Sequence, residues 1–103
     1  MKYDKDKFVE ILKILQKNLI STIDFSEISA LETNPSTQVV GFNSKNNNKV
    51  GMIVVGENND KIVIEVIVDD EKDKSKGTPV VEMEDFNITV LNELIEWLKN
   101  YCK

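Results

Sequence analysis

VGMIVVGENNDKIVIEVIV, residues 50–68, decides how this chain folds. Val50–Val55 is nearly all apolar, and Ile62–Val68 is rich in the β-branched residues that pack well on a pleated surface. Between them GENNDK, residues 56–61, supplies glycine, asparagine and aspartate, which tolerate the positive φ of a hairpin turn. NSKNNNK, residues 43–49, plays the same part after a shorter strand, Gln38–Phe42. Neither link is long enough for a crossover helix, so the three strands are expected to form an antiparallel meander.

Alternation within these strands leaves both faces apolar. Val50, Met52 and Val54 share one face of the second strand, and Gly51, Ile53 and Val55 share the other. In the third strand Ile62, Ile64, Val66 and Val68 lie opposite Val63, Glu65 and Ile67. A sheet covered on one side alternates apolar and polar residues; these strands do not, so both faces call for cover. One helix could lie on each side, or both helices could lie on one side while the segment around Phe25, Ile28 and Leu31 crosses the other. Alternatively, the second face is left for a partner or a second copy, with Ile53, Val55, Val63, Glu65 and Ile67 as the apolar interface. Glu65 stands out as a lone carboxylate between Val63 and Ile67. It belongs at the rim of a solvated face, or it is a buried acid that needs a partner, for which Lys49 and Lys61 are near enough in sequence.

Outward from the strands, Phe8, Ile11, Leu12, Leu15 and Leu19 recur at three- and four-residue spacing and predict a helix over residues 5–20. Asp4 is its N-cap candidate, with Tyr3 and Phe8 placed for a hydrophobic staple. Ser26 could cap a short helix ending at Leu31 or Glu32, before TNPST breaks the chain at Pro35. DDEKDKSKGTP, residues 69–79, reads as a charged loop, and Val80–Met83 as a fourth, edge strand, where Pro79 is tolerated. Ile88, Leu91, Leu94, Ile95 and Leu98 predict a last helix over residues 88–101, capped by Asn87 or Thr89. The fold class is α+β: a single domain over residues 1–103, with an N-terminal helix, a three- or four-stranded antiparallel β-meander and a C-terminal helix. The length of 103 residues suits one core without covalent staples.

The composition narrows the chemistry. All thirteen basic residues are lysine, and histidine is absent. Arginine is the usual bidentate grip on phosphate or carboxylate, and histidine the usual general base near neutral pH. Residues 1–50 carry seven lysines against six acids, and residues 51–103 carry six lysines against twelve, so the negative charge falls in the second half. That balance disfavours direct nucleic-acid binding and suits a basic protein surface. Cys102 is the single cysteine, which precludes an intramolecular disulfide and a cysteine zinc cluster. Apolar runs are too short to cross a membrane, and MKYDKDKF at the start lacks the apolar core of a secretory signal; a reduced cytoplasmic setting is expected. The glycosylation pattern Asn87-Ile88-Thr89 is discounted in that setting. The abundance of lysine, asparagine and isoleucine without arginine points to an AT-rich coding sequence, as in low-GC bacteria, their phages and mobile elements.

Motif by motif, the sequence shows no catalytic arrangement. Cys102 and the serines have no histidine to activate them; Ser44-Lys45 and Ser75-Lys76 are neighbours in loops rather than an organised pair. Glu82 and Glu84 share one face of the edge strand with Asp85 beside them, where charge discourages edge-to-edge pairing. From Asp69, positions six and twelve of a calcium loop would be Lys74 and Val80 rather than glycine and glutamate, so no EF-hand is present. No phosphate-binding glycine motif occurs. Trp97 and Tyr101, four apart, are either core or an exposed anchor pair. No cofactor, metal or catalytic residue is expected.

The element order resembles that of several small bacterial and phage inhibitor and immunity proteins, a likeness of size and layout without a shared motif. The expected function is that of a non-enzymatic acidic protein that binds and inhibits or masks another macromolecule, such as a phage or mobile-element inhibitor of a host defence nuclease, or an immunity protein. Its partner-binding residues would be Asp69, Asp70, Glu71, Asp73, Glu82, Glu84 and Asp85, set against a protein with a basic surface. The alternatives are a homo-oligomeric structural or regulatory domain, a homodimer included, and a small-molecule sensor with a pocket between helix and sheet.

Overall fold

The computed structural model describes residues 2–103. Helix α1 spans Lys5–Leu19. The Asp4 side chain accepts the Lys7 N–H and so satisfies one of the donors a helix start leaves free. The expected stripe of Phe8, Ile11, Leu12, Leu15 and Leu19 is buried, and Tyr3 packs on the core just ahead of the cap.

The short helix expected from Ser26 does not form. Strands β1 (Ile23–Phe25) and β2 (Ser29–Ala30) occupy that stretch, and both pair antiparallel with β3 (Gln38–Ser44). Ile23 and Phe25 register with Ser44 and Phe42, so their alternation serves the sheet. The Ser26 hydroxyl accepts the Gly41 N–H at 2.8 Å instead of capping a helix. Sheet pairing thus overrides the local capping signal, and the sheet has six strands rather than three or four.

Strands β4 (Val50–Asn58) and β5 (Lys61–Val68) form the central hairpin, and β6 (Val80–Met83) is an edge strand as expected. The order is β1-β3-β4-β5-β6, with every pairing antiparallel. Asn59 and Asp60, at φ 53° and 62°, join β4 to β5. Positive φ at both central residues is what a two-residue type I′ hairpin requires, and asparagine and aspartate adopt it at least cost after glycine. Residues 69–79 are not all loop, because helix α2 covers Glu71–Lys76. Asp70 caps it by accepting from the Lys72 and Asp73 N–H groups, and Gly77 at φ 87° ends it. Acids in its first turn and lysines in its last complement the helix dipole.

Helix α3 spans Ile88–Tyr101 and is capped by Asn87, whose side chain accepts from Thr89 and Val90. It lies beside α1, and the two share one core over one face of the sheet. Cys102 follows α3 and is wholly buried. The β3–β4 turn pins it: Ser44 and Asn46 donate to its carbonyl at 3.0 and 3.2 Å, and Asn47 donates to that of Tyr101 at 3.0 Å. Burial pushes the Cys102 thiol up from its ordinary pKa, which keeps it protonated and unreactive. Among the described residues no helix is long and apolar enough to cross a membrane.

Candidate functional site

The register of the central hairpin decides which residues are available to a partner. Ile53 pairs with Val66 and Val55 with Ile64, all four facing the helices and fully buried. Val54 pairs with Glu65 and Met52 with Ile67, facing away from the helices. The grouping of Ile53 and Val55 with Val63, Glu65 and Ile67 is therefore corrected. The first two are core; the last three share the uncovered face with Met52 and Val54. Val39 from β3 and Val80 from β6 complete the apolar field, by their registers with Val54 and Glu65. Met52 is 40%, Ile67 38% and Val80 57% exposed.

Of the cover arrangements open to the sequence, the structure takes both helices on one side. The segment around Phe25, Ile28 and Leu31 extends the β3 edge by strand pairing and does not roof the other face. Met52, Val54 and Val80 were missed as members of the uncovered face. For Met52 and Val54 the signal lay in Asn59-Asp60, where a two-residue turn makes Asn58 face Lys61 and fixes every β4–β5 partner by counting; the place of Val80 opposite Glu65 follows only from the β5–β6 pairing.

Glu65 is exposed, not buried. Its neighbours are aliphatic on four sides, with Val63 and Ile67 along β5, Val54 across on β4 and Val80 across on β6. No ion pair or hydrogen bond engages its carboxylate among the described residues. Neither lysine proposed for it serves: Lys61 pairs with Glu82 at 4.0 Å, and Lys49 is held elsewhere.

The seven acids do not form one cluster. Asp73 turns inward, where its carboxylate accepts from Lys49 Nζ at 2.6 Å and from the Tyr101 hydroxyl at 2.8 Å. These bonds hold Asp73 below the usual carboxylate pKa, Lys49 first and Tyr101 second. Lys49 is raised in turn, chiefly by its bond to Asp73. Burial, then the bond to Asp73, pushes Tyr101 up. Trp97 stacks on Tyr101 with ring centroids 4.9 Å apart, and Phe42 meets it edge-on at 6.5 Å. Trp97 and Tyr101 are half-buried and packed against the core, so this knot joins α2, α3 and the β3–β4 turn as a structural unit.

Asp70 is the α2 cap and lies 3.7 Å from Lys49. Asp69, Glu71, Glu82, Glu84 and Asp85 face solvent, Glu82 with the Lys61 contact and Glu71 with a 3.3 Å contact to Lys74. Met83 registers with Ile62, so Asp69 and Glu84 flank β5 at opposite ends, roughly 25 Å apart at about 3.3 Å per residue. The acids string along the β5–β6 side, with Glu65 and Glu82 between the two ends on the uncovered face.

The space between helices and sheet is filled by Phe8, Leu12, Ile53, Ile64, Leu91 and Leu98, each with no exposed surface. The surface clefts lie elsewhere, for example along the outer side of α1 beside Val9, Lys13 and Ile14. Among the described residues no three cysteine, aspartate or glutamate side chains converge where a metal ion could sit.

The fold defines a small α+β domain with two helices on one face of an antiparallel sheet and the other face uncovered. No protein-family model, curated protein or solved structure matches the chain.

Proposed function

We propose that the chain is a non-enzymatic binding protein that occupies the basic surface of another protein and thereby inhibits or masks it. An inhibitor of a host defence nuclease carried by a phage or mobile element, or an immunity protein, fits this reading. The observation that supports it is the solvent-facing string of Asp69, Glu71, Glu82, Glu84 and Asp85 along the β5–β6 side, in a chain half with twelve acids and six lysines. Such a field attracts a basic surface from a distance and speeds encounter. Asp70 and Asp73 belong to the fold and are left out of the contact.

The test is joint replacement of Asp69, Glu71, Glu84 and Asp85 by lysine, with affinity capture from the native host. The wild-type chain should retain a basic protein at low salt and release it at high salt. The reversed variant, shown folded by circular dichroism, should retain none. Equal capture by both variants would overturn the proposal.

A further inference from the structure

We infer that the partner seats an aliphatic segment on the uncovered face of the sheet, and that this segment carries a lysine or arginine which meets Glu65. The inference rests on the binding reading above and specifies the central contact and its chemistry. Six aliphatic side chains from four strands, Val39, Met52, Val54, Val63, Ile67 and Val80, form a field that is half-buried at best. An apolar field of this kind on a small domain marks a place where something docks.

Glu65 selects what can dock. It lies inside the field rather than at its edge, with an aliphatic neighbour on every side. A purely apolar partner would strip water from this carboxylate and return nothing. Lys61 is four residues away along β5 and engaged with Glu82, so the fold supplies no cation of its own. A partner with a cation flanked by aliphatic groups satisfies both requirements.

A second copy of this chain fits poorly. A two-fold axis through the field sets the same patch against itself, so the two Glu65 side chains and the two Glu82 side chains crowd into one interface. Like charges brought together out of water oppose the contact. The cross-strand contacts put no lysine of this chain on the field except Lys61 at its end. The complement is therefore a different, basic protein, as the acidic string outside the field also favours.

The experiment uses the peptide GSVTITKTVTVSG, whose lysine lies between aliphatic residues on one face of an extended chain, and the same peptide with glutamate in place of that lysine. Each is titrated into the full chain at neutral pH with methyl-resolved NMR. The lysine peptide should shift the methyl signals of Val54, Val63, Ile67 and Val80, and the glutamate peptide should not. Glu65→Gln should weaken the lysine peptide by about tenfold or more. Glu65→Lys should invert the preference. Shifts confined to another surface, equal binding of the two peptides, or no binding of either would overturn the inference. So would a wild-type dimer in sedimentation whose interface is this face. The variant reversed at Asp69, Glu71, Glu84 and Asp85 separates the two proposals. Peptide binding that persists there while host capture is unchanged from wild type sinks the acidic-string reading and leaves this one standing. Host capture lost in that variant, with no Glu65-dependent peptide binding, does the opposite.

Discussion

The two faces of the β4–β5 hairpin are built from nearly the same residues and meet opposite fates. On one face Ile53, Val55, Ile62, Ile64, Val66 and Val68 are almost wholly buried beneath α1 and α3. On the other, Met52, Val54, Val63 and Ile67 remain partly open around Glu65. Hydrophobicity alone does not separate them, since valine and isoleucine dominate both. What separates them is where the two amphipathic helices go. Each helix has one apolar stripe, and stripes that also pack on each other must share a side of the sheet. The face left over then keeps aliphatic side chains around one carboxylate that none of the described residues engages.

A second contrast lies between Glu65 and Asp73. Both are single carboxylates near the sheet. Asp73 is surrounded by its own donors, Lys49 and Tyr101, and serves the fold. Glu65 has none and is available.

The contrast between faces is sharpest in stability. Ile64→Ala, which empties a fully buried site, should cost about 2–5 kcal/mol, whereas Ile67→Ala on the open face should cost less than about 1 kcal/mol. Urea denaturation of the two variants measures this directly; equal losses would mean that both faces are covered in solution. Gly51→Ala should come next. A Cβ there would meet the Phe42 ring at 2.8 Å and the Ile67 carbonyl oxygen, so the strand or the ring must shift. Overpacking of this kind costs about 1–3 kcal/mol. A melting temperature unchanged from wild type would show that the ring does not lie across Gly51.

The smallest effects are expected from pH, and they come from Asp73, Glu57 and Tyr101. Asp73 and Glu57 are both held below their ordinary values, Asp73 by Lys49 and Tyr101, Glu57 by the N–H groups of Lys2 and Tyr3 that it accepts at 3.0 and 2.8 Å. A lowered folded-state value means that the unfolded chain takes up protons first. Their contribution is therefore complete above the ordinary carboxylate range and is lost as pH falls below about 4, through the folded values. Tyr101 is raised, so its contribution is complete below about pH 10 and declines above it, where unfolding releases an ionisable phenol. Thermal unfolding across pH should show both declines. Asp73→Asn should flatten the acid limb and Tyr101→Phe the alkaline limb.

Much of this fold is legible in the amino-acid order. The stripe from Phe8 to Leu19, the caps at Asp4 and Asn87, and the meander through β3, β4 and β5 follow from spacing and side-chain type, because local geometry alone produces those signals. Helix α2 was readable in principle from Asp70 and Gly77 at its two ends, but its polar residues have no stripe to announce it. Strands β1 and β2 were not readable, because Ile23 and Phe25 become a strand only when β3 is there to pair with them.

The site divides in the same way. That the hairpin had two apolar faces, that Glu65 interrupted one, and that the acids crowded into the second half were properties of the amino-acid order. Which face the helices would take, that Ile53 and Val55 would be core, and that Asp73 would be consumed by Lys49 and Tyr101 were settled only in three dimensions. Strand register and helix placement are set by contacts between residues far apart in the chain. A strand's own sequence says which side chains share a face, but only its partners say which face is inside.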